Sequence, residues 1–237
     1  DVVFTVSKNA ADDIVKTFGV DQEKDTVESL KSQFENDMET LETSSQNIKN
    51  KYQLPDEYFL YVGVMALKKN IDTIIKAYHV LKSKHLKWPK LVLVGPRYSS
   101  SDAGNALDLI DEFNLENDIM YLGKLPKDHL YYVFKNASIF LFPSYHEGFG
   151  IPCLEAMQLG VPLMASKASA IPEVVGDAGV LVENFMSVET WAEAIKKLYE
   201  DPYKRKLLTE KGIKRFEEIS RKHSYSAVID DYEHLLE

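Results

Sequence analysis

A single cysteine, Cys153, occurs in the 237 residues, which excludes an intrachain disulfide and points to a reducing compartment. No apolar run approaches the ~18 residues that a membrane-spanning helix needs, and no secretory signal opens the chain. A cytoplasmic location is expected, or a peripheral one at the membrane in a complete protein. The first residue is Asp1 rather than Met, which reads as a segment of something longer or a processed chain. Asp-x-Asp occurs nowhere, and none of the six histidines stands with Cys153 at metal-ligand spacing, so neither a metal nor a cofactor is expected. Positive charge is also in short supply, 28 Lys and Arg against 37 Asp and Glu, for a formal net charge of −9. Nucleic acid is therefore not an expected partner. The basic residues that gather late, from Lys196 to Lys222, alternate with acids and read as a solvated helical face.

What is present is ordinary for a globular protein: 45% apolar and 27% charged residues. "DVVFTVS" (1–7) reads as a short strand and "KNAADDIVKTFGV" (8–20) as a helix ending near Gly19. From Asp21 to Glu42 there are eight acidic residues, two lysines and few large apolar side chains, so 21–57 is expected to be an acidic linker, partly helical and mobile. Beyond it, apolar runs ("YFLYVG", "KLVLVG", "DIMYLG", "SIFLFPS", "VPLMAS", "AGVLVE") alternate with helical patterns at 70–84, 101–114, 126–137 and 151–160. A cap at Ser101 or Asp102 is expected for the second of these. Continuous apolar strands between helices predict a doubly wound parallel α/β sheet, Rossmann-like, over 58–222, with a tail from 187 to 237 that is helical throughout.

In such sheets ligands bind at the carboxyl ends of the strands. Gly63, Gly95 and Gly123 end three of the expected strands, and "SYHEGFGIPCLEAM" (144–157) follows the fourth. Gly148 and Gly150 let the backbone approach a ligand closely. The amides of Gly148, Phe149, Gly150 and Ile151 lead into a helix N-terminus, which favours anions. Glu155, one turn into that helix, suits a ribose diol, whereas Glu147 lies on the loop beside it. Lys68 and Lys69, between the first of these strands and its helix, supply cations for a diphosphate. His146 reads as an exposed or supporting neighbour of Glu147, Cys153 as an inert packed thiol, and the Asn136 sequon as blocked by the strand that follows.

The order "YFLYVG…KKNID", "LVLVGP", "NDIMYLGKLP", "ASIFLFPSYHEGFGIPCLEAMQLGVPLMAS", "AIPEVVGDAG" resembles the retaining glycosyltransferases of GT-B fold, over about 58–182. Those enzymes move sugars from nucleotide diphosphates. The pair of glutamates flanking "GFGIPCL" is that family's signature. The resemblance implies that Glu147 faces the donor sugar and is the catalytic residue, that Glu155 holds the ribose, that Gly148 to Ile151 offer amides, and that Lys69 meets the pyrophosphate. Lys68 stands where the family usually has arginine, which keeps the charge but not the bidentate grip. It also implies that this chain is the C-terminal, donor-binding half. Residues 1–20 would be the remnant of a preceding acceptor-binding domain, acting in cis or trans, and 223–237 a C-terminal helix. The turn "NG" plus acid expected early in the linker is replaced by "VESLKSQFEND".

The expected function is transfer of a sugar from a UDP- or GDP-linked donor to a glycan, lipid or protein acceptor, incomplete in this chain alone. With no Asp-x-Asp, Lys68, Lys69 and the helix terminus would stabilise the leaving diphosphate without metal. The alternative is a nucleotide-sugar-binding module or non-catalytic subunit. A third class, a sugar-nucleotide epimerase of the same fold, has no motif here.

Overall fold

The computed structural model describes residues 3–19, 25–27, 30–34, 38–39, 41, 47–83, 87–97 and 106–222. Two short parallel strands, β1 (Val3–Thr5) and β2 (Asp25–Val27), enclose the helix α1 (Lys8–Phe18). After α2 (Ile48–Tyr52) the chain enters a six-stranded sheet. It runs β3 (Tyr58–Val62), α3 (Ile71–Ser83), β4 (Lys90–Val94), α4 (Asp108–Glu112), β5 (Ile119–Tyr121), α5 (Lys127–Lys135), β6 (Ile139–Phe142), α6 (Ile151–Gln158), β7 (Leu163–Ser166), α7 (Ile171–Val175) and β8 (Val180–Val182), then α8 (Val188–Tyr199) and α9 (Pro202–Lys222).

All pairings in the large sheet are parallel and its order is β5-β4-β3-β6-β7-β8. The chain builds one wing outward from β3 and then restarts at β6 on the other side. The reversal between β3 and β6 is the topological switch point, where the crevice beyond the strand ends takes ligands in folds of this order.

The strands read as unbroken apolar runs because both faces are covered. Phe59, Tyr61, Leu91, Leu93 and Ile139 meet α3 and α8 on one face, around fully buried Trp191. Leu60, Val92, Phe140 and Phe142 meet α5 and α6 on the other. Each such side chain contributes about 1.5–3 kcal/mol on removal from water. Phe34, Leu41, Ile48 and Leu54, all from the stretch expected as linker, join this second layer.

The helices depart from expectation at their ends. The tail is helical over its described part, in two pieces: Asp201 and Pro202 divide α8 from α9, since proline supplies no amide to continue α8 and suits the first turn of the next helix. The helix expected over 101–114 is described only as Asp108–Glu112, and its expected cap lies outside the described residues. So do the C-terminal helix at 223–237 and much of 21–46. Asn136 is exposed rather than blocked, and its side chain donates to the Tyr132 carbonyl at 2.8 Å to close α5.

Candidate active site at the switch point

The loops after β3 and β6 face each other across the crevice and are tied together by buried hydrogen bonds. Asn70, 2% exposed, donates through Nδ2 to the carbonyls of Pro143 and Phe185, both at 3.1 Å, while its Oδ1 accepts from the Thr73 hydroxyl at 2.6 Å. The Tyr145 amide donates to the Lys68 carbonyl at 3.0 Å. A 3-10 turn over Leu67–Lys69 then carries Lys69 to Glu147. Their Nζ and Oε1 are 2.5 Å apart, with 17% and 14% of the two side chains exposed. The ammonium also lies 5.9 Å from the centre of the Phe142 ring. Lys68 is exposed beside it.

The backbone of the glutamate loop is held separately. Ser169 donates to the Glu147 carbonyl at 2.7 Å, and Ser7 donates to the Gly148 carbonyl at 2.6 Å. The same Ser7 hydroxyl accepts from the Ala10 amide at 3.1 Å and so caps α1. Gly150 precedes α6 with φ of 104°, a left-handed conformation open to glycine alone at little cost. Pro152 has no N–H, and the amides of Phe149, Gly150 and Ile151 find no acceptor among the described residues. The N-terminus of α6 thus presents unpaired donors beside the Lys69–Glu147 pair.

Glu155 lies in the second turn of α6 and is 2% exposed. Burial pushes its carboxyl up to about 7, and a hydrogen bond from Gln33 Nε2 at 2.7 Å opposes that rise. Cys153 is fully buried between the two glutamates. Desolvation raises its thiol, the charges of Glu147 and Glu155 add to the effect, and Lys69 opposes it. Both carboxylates thus lie close enough to Cys153 for their charges to reach its thiol. The thiol is an inert packing group, and His146 is exposed.

The strand-end glycines form a chain beneath one wing. The Gly63 amide donates to Val94 at 2.9 Å, the Gly95 amide to Gly123 at 2.8 Å, and Tyr121 donates its hydroxyl to Gly95 at 3.0 Å. A Cβ on Gly95 would stand 1.9 Å from the Gly63 carbonyl oxygen.

All ten residues expected to form the site line this carboxyl edge or the turns leading from it. The sequence reading missed Ser7, Asn70, Ser169 and Gln33. Asn70 had a signal, a polar residue opening a helix next to the two lysines. The others act from far along the chain and had none. Among the described residues no group of His, Cys, Asp and Glu is arranged to hold a metal ion, and no helix is long and apolar enough to cross a membrane.

The model of the family described as glycosyl transferases group 1 matches residues 44–215. The chain belongs to that family. It is 35% identical over 184 residues to O-antigen chain mannosyltransferase B of Escherichia coli, covering 77% of this chain and 47% of the relative. It is 29% identical over 200 residues to O-antigen chain mannosyltransferase RfbU of Salmonella typhimurium, covering 84% and 51%. The chain thus spans about half the length of these relatives. Among solved structures, sucrose-phosphate synthase from Thermosynechococcus elongatus superposes with a TM-score of 0.77 at 21% identity, over all of this chain and 57% of that one. Anabaena Alr3699/HepE in complex with UDP superposes with a TM-score of 0.78 at 18% identity, over 99% and 63%. These neighbours share the doubly wound fold of the GT-B glycosyltransferases.

Proposed function

We propose that this chain is the donor-binding half of a retaining glycosyltransferase that moves a hexose from a nucleotide diphosphate to an acceptor hydroxyl. Mannose is the first candidate, from the names of the relatives. The observation that carries the reading is the convergence of Lys69, Glu147 and the open amides of α6 at the switch point. In this reading residues 1–20 belong to a preceding acceptor-binding half, and 58–222 hold the donor.

The chemistry follows from where charge develops. As the sugar leaves, negative charge grows on the diphosphate and positive charge on the anomeric carbon. Lys69 neutralises the former together with the amides of Phe149, Gly150 and Ile151 and with Lys68. Fixed donors already aimed at developing charge need no reorganisation during the step. Entry of the diphosphate draws Lys69 away from Glu147. That leaves the carboxylate beside the sugar, where it orients hydroxyls and stabilises the oxocarbenium-like carbon. Glu155 accepts hydrogen bonds from the ribose diol and acts alike in ground and transition states, so it serves affinity rather than rate. Gly63 and Gly95 line the nucleotide's side of the crevice.

Calorimetry of the chain with UDP, GDP and their glucose and mannose conjugates, with and without a chelator, tests this. The expected result is binding of one nucleotide family that persists in chelator. Strict dependence on Mg²⁺ or Mn²⁺ would overturn the metal-free mode, and binding of none of these ligands would overturn the whole reading. A second reading is a nucleotide-sugar-binding module that works only with an acceptor-binding domain. Robust transfer by the purified chain alone would exclude it.

A further inference from the structure

Glu155 has one hydrogen-bonding neighbour that comes from outside the sheet. Gln33 lies in the stretch 30–34, where the resemblance led to a different turn, and it reaches Glu155 across 122 residues of sequence. Its position is held on both sides. Phe34 is fully buried, with its ring edge-on to Tyr131 at 5.6 Å and to Phe134 at 6.4 Å. Ser32 donates to the Gln158 side chain, one turn beyond Glu155 on the same face of α6, and its hydroxyl accepts from the Phe34 amide at 3.1 Å. A segment pinned at 32 and 34 has little choice about where residue 33 goes.

We propose that Gln33 is a positioning residue of the nucleotide site, fixing one oxygen of Glu155 so that the other faces the ribose. This rests on the reading of Glu155 as the ribose ligand. A carboxyl accepts from the diol most strongly when it is ionised and held in a fixed orientation. The Gln33 amide promotes both: it donates to Oε1, which favours the charged form, and it stops rotation of the group. The charged groups around α6 are engaged elsewhere. Lys69 pairs with Glu147. Arg215 of α9 donates to the carbonyls of Val174 and Glu173 at 3.1 and 2.8 Å. The Glu173 carboxylate accepts the amides of Lys8 and Asn9 at 3.0 and 3.4 Å. The Cys153 thiol is held neutral by burial. Burial raises the Glu155 carboxyl, and Gln33 is the group that opposes that rise.

The test is the affinity of the chain for UDP and GDP between pH 6 and pH 9, by calorimetry, using whichever binds. In the parent the affinity should rise with pH through a midpoint near 7, as Glu155 ionises. Gln33→Met keeps the shape and removes the side-chain donor while leaving the backbone one. It should move the midpoint to higher pH, with roughly tenfold weaker binding below it for each unit of displacement. Gln33→Lys, a charged donor, should move it to lower pH. Ser32→Ala frees one of the two pins of the same segment and should move the midpoint in the direction of Gln33→Met, by a smaller amount. Thermal melts confirm that each variant is folded. The proposal is overturned if Gln33→Met and Gln33→Lys leave the midpoint unmoved while Glu155→Gln weakens binding, or if Ser32→Ala moves it further than Gln33→Met does. If Glu155→Gln binds as the parent does, the ribose assignment itself falls.

Discussion

Glu147 and Glu155 lie eight residues apart in the sequence and are buried in opposite fashions. The loop carboxylate meets a full positive charge at 2.5 Å, on a backbone held by Ser7 and Ser169. The helix carboxylate is buried more deeply and meets only a neutral amide. A buried charge that is paired loses little by staying ionised, whereas one that is merely hydrogen-bonded drifts towards its neutral form. The same residue type, in one crevice, is thus given two characters by its partner. On the proposed function, one works against a cation that moves and the other grips a neutral diol.

The largest effect that bears on this contrast is expected at Lys69. On the proposed function, Lys69→Ala takes the cation from the leaving diphosphate and strands Glu147, so kcat/KM of the protein carrying this chain should fall on the order of 10²–10³-fold. Steady-state kinetics with saturating acceptor would check it. A loss under threefold would show that the loop carboxylate needs no partner.

Next is Glu155→Gln, which should weaken nucleotide binding by about 1.5–3 kcal/mol, the worth of a hydrogen bond to a charged group. The same change should stabilise the unliganded chain. A carboxyl at about 7 when folded and 4.5 when unfolded holds its proton longer in the native state. Its ionisation therefore costs stability as pH rises from 4.5 to 7, and the cost stays in place above that. Glu155→Gln should accordingly melt higher than the parent at pH 8, by on the order of 1–3 kcal/mol, and the gain should vanish towards pH 4.5. Melting curves at the two pH values decide it. Equal gains at both would mean that packing, not charge, is responsible.

The smallest effect is expected at Ser7. Ser7→Ala deletes the cap of α1 and the hold on the Gly148 carbonyl together, at about 1 kcal/mol of stability. Denaturant titration would measure it. A change several times larger would mean that residues 3–19 govern the glutamate loop more strongly than two hydrogen bonds can.

The six sheet strands were legible in the sequence because each is an apolar run ended by glycine, proline or a polar cluster, and burial on both faces leaves no other reading. The glutamate loop was legible because two glycines, a proline and two acids crowd into fourteen residues, Ser144 to Met157. In the stretch from 21 to 57 the buried anchors were not legible, for the converse reason. Its acids dominate the composition, while four scattered apolar residues, Phe34, Leu41, Ile48 and Leu54, do the anchoring. Nor does any spacing announce that Gln33 meets Glu155 or that Ser7 meets Gly148. Such contacts are made by the fold bringing distant segments together, and periodicity carries no information about them.

Two of the glycines bear on what selection can see. Gly95 has no room: any side chain would collide with the Gly63 carbonyl at 1.9 Å, on a backbone with φ of 139°. Gly148 is exposed, and a side chain there would touch only the Val6 methyl, at an ordinary 3.5 Å. In a saturation library sorted for folded protein, position 95 would return glycine alone, whereas position 148 would drift through many residues. Sorted for sugar transfer, 148 should close up as well. The difference between the two maps at that position would trace the footprint of a ligand that neither map contains.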